Sequence, residues 1–465
     1  MTRFRFVTNL RPRTVESFER SAYRPQAWLL STHRATRETL RLGSPCASRD
    51  DLFADNGTKE LIGVVRRRFD SRLEGLHAAI RELRRGLGDG RRVPNPSEVP
   101  ATLRREASRV AGEVANEVEH ELAAVPVEAV LSEQLRMNPT HLIAKEDFTT
   151  ATLVSLGLER EITGWSVARY DRLNARTLEY WRAASADPRC AGRAVYATLS
   201  ATDYATARSA AELAARAGVT HVALGFAAIN LDRTVVDVFR LPHRRTLRAP
   251  GPRRYVRVAE IVLGIRDGYR RAGPRLHAFH GLGLGATAQY PILAATLDWY
   301  THVSVDSTSP LHDAVNDLVF YDDASRGDRV SVLEAAQRIL DGGSWSFASP
   351  FCRDLRSRFR HDPTAARRWW EAEGRPAITS DDLHPARPLG AALGVFATAR
   401  GEETAGQVRG RVAHNHWVCD QLAGGVPSRG RRDWGRDELD ELVATRSSHT
   451  RLGLMAASEV VRAAL

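Results

Sequence analysis

A chain of 465 residues with 43% hydrophobic and 26% charged residues can bury a large core in more than one structural unit, which excludes a disordered or fibrous protein. The formal net charge of +11 suits a polyanionic partner. No apolar run approaches the ~18 residues a membrane span needs, and four scattered cysteines without a Cys-x-x-Cys argue against a disulfide framework.

The opening MTRFRFVTNLRPR lacks the apolar block of a secretory signal, so a reduced, cytoplasmic setting is expected. Lys59 and Lys145 are the only lysines, and the remaining basic residues are arginine. Base composition of a genome can exchange lysine for arginine, but it does not create an excess over acids. Arginine clusters at 66–68, 84–85, 91–92, 244–245, 253–254 and 429–432 are candidate phosphate contacts.

In chain order, residues 1–57 hold short β-like runs: FRFVTNL, PQAWLLS and DLFADNG, with a helix (TVESFERSAY) among them. From Thr58 to about Asn138 the apolar residues recur at three- and four-residue steps, interrupted by GDGRRVPNPSEVP. This predicts a helical insertion between two strands. Strands and helices then alternate. THLIAKED is followed by a helix, RAVYATLSA by a helix ending at Gly218, and THVALGFAA by a helix ending at Gly273. Next come LHAFHGLG, a helix through ATAQYPILAATLDWY, HVSVDST and DLVFYDD.

Counting one of the two N-terminal runs, about eight parallel strands result. That predicts an α/β fold, a (β/α)8 barrel over residues 1–341 with 58–138 inserted, and a mainly helical region over 342–465. An open doubly wound sheet is the alternative, disfavoured because no G-x-G-x-x-G opens the first helix.

Chemistry in such folds sits at the carboxyl ends of the strands. Acids recur there: Asp55 ends DLFAD, Glu146 and Asp147 end HLIAKED, and Asp306 ends HVSVD. Two or three carboxylates round one pocket suit displacement at a sugar carbon. One is the nucleophile and another moves the proton of the departing or entering base. Asp306 and Asp55 are the candidate catalytic pair. Asn56-Gly57 and the Gly281-Leu282-Gly283 turn allow close backbone approach to a ligand. His414-x-His416-x-x-Cys419, with His384 and Cys352, has a loosely ligand-like spacing, but no clean four-ligand set emerges and no metal is assigned. His277 and His280 are candidates for the barrel mouth, and His312-Asp313 for a pair supporting Asp306.

Laid out in order, these segments resemble the tRNA-guanine transglycosylase superfamily. Ala54-Asp55-Asn56-Gly57-Thr58 stands where the family has Asp-Ser-Gly-Gly, and Glu146-Asp147-Phe148-Thr149 where it has Asp-Glu-Cys-Thr. Gly225-Phe226-Ala227-Ala228 is similar to its Gly-Gly-Leu-Ala, and Gly281-Leu282-Gly283 to its Gly-Val-Gly. Val305-Asp306-Ser307-Thr308 falls on its Phe-Asp-Cys-Val, and His414-Asn415 on its late His-Asn pair. The resemblance implies a barrel enzyme that exchanges guanine in nucleic acid for a 7-deazaguanine through an aspartyl–sugar intermediate. Asp306 would be the nucleophile and Asp55 the proton carrier. Glu146 or Asp147 would read the base, with Asn56, Gly57, Gly225, Phe226, Gly281 and Gly283 around the substrate.

The chain departs from the family at its zinc cluster, where Ser380-Asp381-Asp382-Leu383-His384 replaces Cys-x-Cys-x-x-Cys, so zinc is not expected as in the family. The family's base-reading glutamine is absent from Thr198-Leu199-Ser200-Ala201, and the block 58–138 has no counterpart in the bacterial tRNA enzymes. These departures resemble the DNA-modifying branch. They imply DNA before tRNA as substrate, a preQ0-like base as second reactant, and other DNA-modification proteins as candidate partners. An N-glycosidase using water, or a non-catalytic nucleic-acid-binding subunit, are the alternative classes.

Overall fold

The computed structural model describes residues 3–18, 24–32, 51–86, 98–118, 126–146, 167–225, 238–240, 246–248, 253–273, 275–398 and 402–464. The chain runs β1 (Arg3–Asn9), α1 (Pro12–Phe18), β2 (Ala27–Ser31), β3 (Asp51–Asp55), α2 (Thr58–Gly86), α3 (Ala101–Val118), α4 (Val127–Leu135) and β4 (His141–Ile143). It continues α5 (Val167–Ala186), β5 (Ala194–Leu199), α6 (Tyr204–Arg216), β6 (His221–Gly225), a small hairpin β7 (Val238–Arg240) and β8 (Thr246–Arg248), and α7 (Arg253–Ala272). Then come β9 (Ala278–Leu282), α8 (Tyr290–Thr296), β10 (His302–Ser307) and α9 (Ser309–Val315).

Eight of these strands close into an all-parallel barrel in the order β1-β10-β9-β6-β5-β4-β3-β2. The expected (β/α)8 architecture is therefore present. Arg3 pairs with His302; following the pairings on through His221, Tyr196, Ile143, Asp55 and Ser31 returns to β1 level with Arg11, eight residues on. That displacement is the shear of a (β/α)8 barrel, and it tilts the strands so that acids at different register positions reach one rim.

The period-2 alternation of each strand sorts its side chains. Outward residues such as Phe4, Phe6, Val303 and Val305 join the core beneath the helices. Inward residues, Val7, Leu29, Phe53, Ile143, Tyr196 and Ala223 among them, fill the barrel. At its amino-terminal end the buried Arg5 reaches across to Asp51 and to His141. His141 stacks on Phe53 with ring centroids 4.1 Å apart, and Phe53 stacks on His280 at 4.9 Å, so an aromatic column runs up the interior.

One strand assignment is corrected. DLVFY is not in the barrel: β11 (Val319–Asp322) pairs antiparallel with β12 (Asp328–Ser331) in a separate two-stranded sheet. Both N-terminal runs enter the barrel, as β1 and β2, and complete the ring without it. Phe320 instead opens a second core that extends to Phe396. That core holds α10 (Val332–Leu340), α11 (Pro350–Arg358), α12 (Pro363–Ala372) and α13 (Pro388–Ala392).

The last three helices, α14 (Glu402–Gly424), α15 (Arg431–Thr445) and α16 (Ser448–Ala464), return to the barrel wall. α14 lies against β1 and carries a buried clamp. The Asn415 carboxamide accepts from the Tyr321 N–H at 2.8 Å and donates to the Val319 carbonyl at 2.9 Å. His414 Nε2 is 2.6 Å from the Tyr321 carbonyl, which makes it the protonated nitrogen, and Nδ1 is 2.8 Å from the Ser349 hydroxyl. No described helix is long and apolar enough to cross a membrane.

Burial pushes His414 and His416 down to about 4 from an ordinary 6.5, so both are neutral in the fold at pH 7 while the unfolded chain takes up their protons. Their contribution is complete above about 6.5 and is lost as the pH falls toward 4. These two groups predict an unfolding free energy roughly 3–4 kcal/mol lower at pH 5 than at pH 7. Urea denaturation at the two pH values measures it, and His416→Leu is expected to remove about half of that dependence.

Candidate active site

β10 supplies the central residue. Its alternation aims Ser304 and Asp306 into the barrel, and Asp306 is buried near the carboxyl-terminal mouth. Asn9, at the end of neighbouring β1, donates its Nδ2 to Asp306 Oδ2 at 3.0 Å. The Gly283 N–H donates to Oδ1, also at 3.0 Å. Gly283 has φ +80°, a conformation that turns its amide onto the carboxylate and that a side chain would strain. Two residues on, a Cβ at Gly285 would lie 1.9 Å from the Ser307 Cβ, so only glycine lets this turn approach β10.

Beneath Asp306 lies the fully buried His280. Its Nε2 is 3.5 Å from Asp306 Oδ1, long for a hydrogen bond but close for a charge, and Nδ1 is 2.8 Å from the Ser304 hydroxyl. Burial by itself would raise the Asp306 pKa. His280, then Asn9 and the Gly283 amide, outweigh it and hold the carboxyl below its ordinary 3.8. Asp306 is thus a desolvated carboxylate that stays ionised at neutral pH.

A cavity of about 230 Å³ opens above it. A cavity of about 150 Å³ can hold benzene, so the space suits one small ring system. Asp55 of β3, Glu146 just past β4 and Asp306 of β10 all line it, as do Asn56, Gly225 and Gly283. Gly57 (φ 82°) forms the turn into α2, and Gly281 sits within β9 paired to Val305; neither lines the cavity. Asp147 and Phe226 lie outside the described residues.

The Asn56 side chain works inward. Its Nδ2 donates to the Ala144 carbonyl at 2.9 Å, while its Oδ1 accepts from the Thr58 N–H and hydroxyl at 3.1 and 2.7 Å. It ties β3 to the end of β4 and caps α2, and its backbone N–H donates to Asp55 Oδ1 at 2.9 Å. The buried Gln134 of α4 adds a second tie, donating Nε2 to the carbonyls of Ala54 and Ile143 at 3.0 and 2.8 Å. Asn9, Arg11 and Gln134 were not singled out by the sequence. Asn9 and Arg11 line the cavity. Their signal was position alone, at the end of the first strand.

Other candidates separate. His277 is exposed at the opposite, amino-terminal end, its ring 5.3 Å from His221 and 5.0 Å from His302. Asp313 faces the β11–β12 hairpin, accepting from the Tyr321 hydroxyl at 2.7 Å and from Arg329 at 3.1 Å, so His312-Asp313 does not support Asp306. His414, His416 and Cys419 point to different faces of α14: toward Ser349, toward Phe6 and Phe18, and toward Tyr290. Both ring nitrogens of His414 are engaged within the fold, and His384 is exposed. These residues do not fit a zinc ion, and no three metal-ligating side chains converge among the described residues. No protein-family model matches the chain, and no curated protein matches it.

Removing a donor from a buried carboxylate costs about 1–3 kcal/mol and favours its protonated form. Asn9→Ala is expected to lower stability by that amount and to move the Asp306 pKa upward. Chemical denaturation reads the first effect. A carboxyl-carbon NMR titration against Asp306→Asn reads the second.

Proposed function

We propose that this chain is a base-exchanging pentosyltransferase acting on guanine in nucleic acid, DNA before tRNA, of the kind the tRNA-guanine transglycosylase superfamily represents. The observation that carries the reading is Asp306, a buried carboxylate held ionised beneath a cavity that two further carboxylates line. An ionised oxygen with little water around it is suited to attack an electrophilic carbon.

In the proposed reaction an Asp306 oxygen bonds to the anomeric carbon of the target nucleotide as the bond to the guanine nitrogen breaks. The electron pair goes to that nitrogen, and Asp55 delivers the proton. The incoming 7-deazaguanine, of the preQ0-like class, gives its ring proton back to Asp55. Its nitrogen then attacks the same carbon and releases Asp306 as a carboxylate. Atoms and charge balance with no added reactant. Glu146, or Asp147, would accept hydrogen bonds from the amino and ring N–H groups of the purine. The cavity's size supports a single base rather than a stacked pair. A target in a duplex must therefore leave the stack, at a cost of about a few kcal/mol.

A covalent-trapping assay tests this with labelled duplex DNA and tRNA in parallel, each with and without a 7-deazaguanine. Wild type is expected to give a denaturation-resistant adduct that Asp306→Asn does not form. Asp55→Asn should slow base exchange by about 10²–10⁴-fold. Guanine release without deazaguanine incorporation would make the chain an N-glycosidase. Binding without adduct or release would make it a non-catalytic subunit.

A further inference from the structure

We infer that α2 and α3 form an arm that grips the phosphodiester backbone beside the nucleotide in the cavity. This deepens the nucleic-acid reading of the barrel mouth and rests on it. Residues 58–118 contain thirteen basic and nine acidic side chains. α2 starts at Thr58, which lines the cavity, and its 29 residues extend about 43 Å at 1.5 Å each. α3 packs back along it: Leu73 and Leu76 of α2 are buried in one core with Val110 and Val114 of α3, and an Arg68–Glu117 ion pair ties them. The ends of α2 and α3 nearest each other in sequence, Gly86 and Ala101, therefore lie at the far end of the arm.

The charges sort by face. At about 100° per residue, Arg67, Arg81 and Arg85 fall within about 40° of one another, about 80–180° round the helix from Leu73 and Leu76. All three are exposed and make no ion pair among the described residues, and the same holds for Arg104 and Arg105 at the start of α3. The acids of α3 are largely taken up. Glu117 pairs with Arg68, while Glu106 and Glu113 pair with Arg109. Against the five unpaired arginines, the described acids exposed on α2 are Glu74 and Glu82.

Five guanidiniums without ion-pair partners among the described residues, on a helix pair rooted at the cavity rim, are available to phosphate oxygens, which guanidinium geometry matches. Arg67 to Arg85 spans about 27 Å, or about eight base-pair steps of a duplex at 3.4 Å. Contacts of this kind read backbone rather than sequence, so they would fix where the strand enters the mouth and help offset base extrusion. Duplex DNA and folded RNA share this chemistry, and the experiment separates them.

The test is the salt dependence of binding for a 20-base-pair DNA duplex and a stem-loop RNA, by fluorescence anisotropy from 50 to 200 mM salt. The arm variant combines Arg67→Gln, Arg81→Gln, Arg85→Gln, Arg104→Gln and Arg105→Gln. A control variant carries Arg353→Gln, Arg356→Gln and Arg358→Gln in the second core. Each phosphate contact adds about −0.9 to the log–log slope on duplex DNA, so the arm variant should have a slope shallower by about 3–5. Its affinity at 100 mM should fall at least about tenfold on the preferred polymer, while the control binds as wild type. An arm variant with the wild-type slope, or a wild type that binds neither polymer, overturns the inference. A reduced slope with no covalent adduct in the trapping assay keeps the arm and refutes the exchange chemistry, so the two failures are distinct.

Discussion

A carboxylate kept charged inside a barrel is the constraint around which the remaining geometry is arranged. Removing such an ion from water costs several kcal/mol unless donors replace the lost hydration. Asp306 obtains them from two separate segments, the Asn9 carboxamide of β1 and the Gly283 amide after β9, with the His280 ring 3.5 Å below. The Asn9 contact depends on barrel closure, because β1 lies beside β10 only once the ring is complete. Hydrophobic side chains of the same size would fill this position more stably. Stability alone does not account for the arrangement.

The alternation of apolar residues carried much of the fold and part of the site. HVSVD reads as a strand whose odd and even residues face opposite ways, and that alternation alone sends Asp306 inward and Val305 outward. The strand-end rule then brings Asp55, Glu146 and Asp306 to one cavity. Partner identity was not legible. Asn9 and Asp306 are 297 residues apart, and only the closing pair of strands makes them neighbours. An asparagine closing a strand reads as a turn residue, since turns are where its short carboxamide is commonest. Gln134 was hidden for another reason. It lies on a helix, and its two carbonyl partners belong to strands on either side of the insertion.

DLVFY shows why composition does not assign a strand to a sheet. Its run of apolar and aromatic residues fits a buried barrel strand, and nothing local distinguishes it from HVSVD. What decides is where its backbone groups find partners. The Tyr321 amide and the Val319 carbonyl bond to Asn415, the Tyr321 carbonyl to His414, and the opposite edge to β12. His414, which stood in a ligand-like spacing with His416 and Cys419, thus joins Asn415 in a clamp between a hairpin and α14. A histidine that donates through one nitrogen and accepts through the other has no lone pair for a cation.

The surplus of arginine also divides once partners are counted, and net charge alone could not have divided it. Arg431 is buried and donates to the Tyr300 carbonyl, Arg432 pairs with Asp298 at 2.8 Å, and Arg257 and Glu260 form an interior pair at 2.7 Å. Arg411, fully buried, lies over the Phe320 ring at 5.6 Å with Nε on the Ala314 carbonyl. Those guanidiniums are structural, and the 429–432 cluster leaves only Arg429 and Arg432 any exposure to solvent. Their planar donor forks suit interior carbonyls and rings, for which a lysine ammonium is a poor substitute. Guanidiniums engaged within the fold are not available to a partner, so the net charge overstates what the surface can offer one.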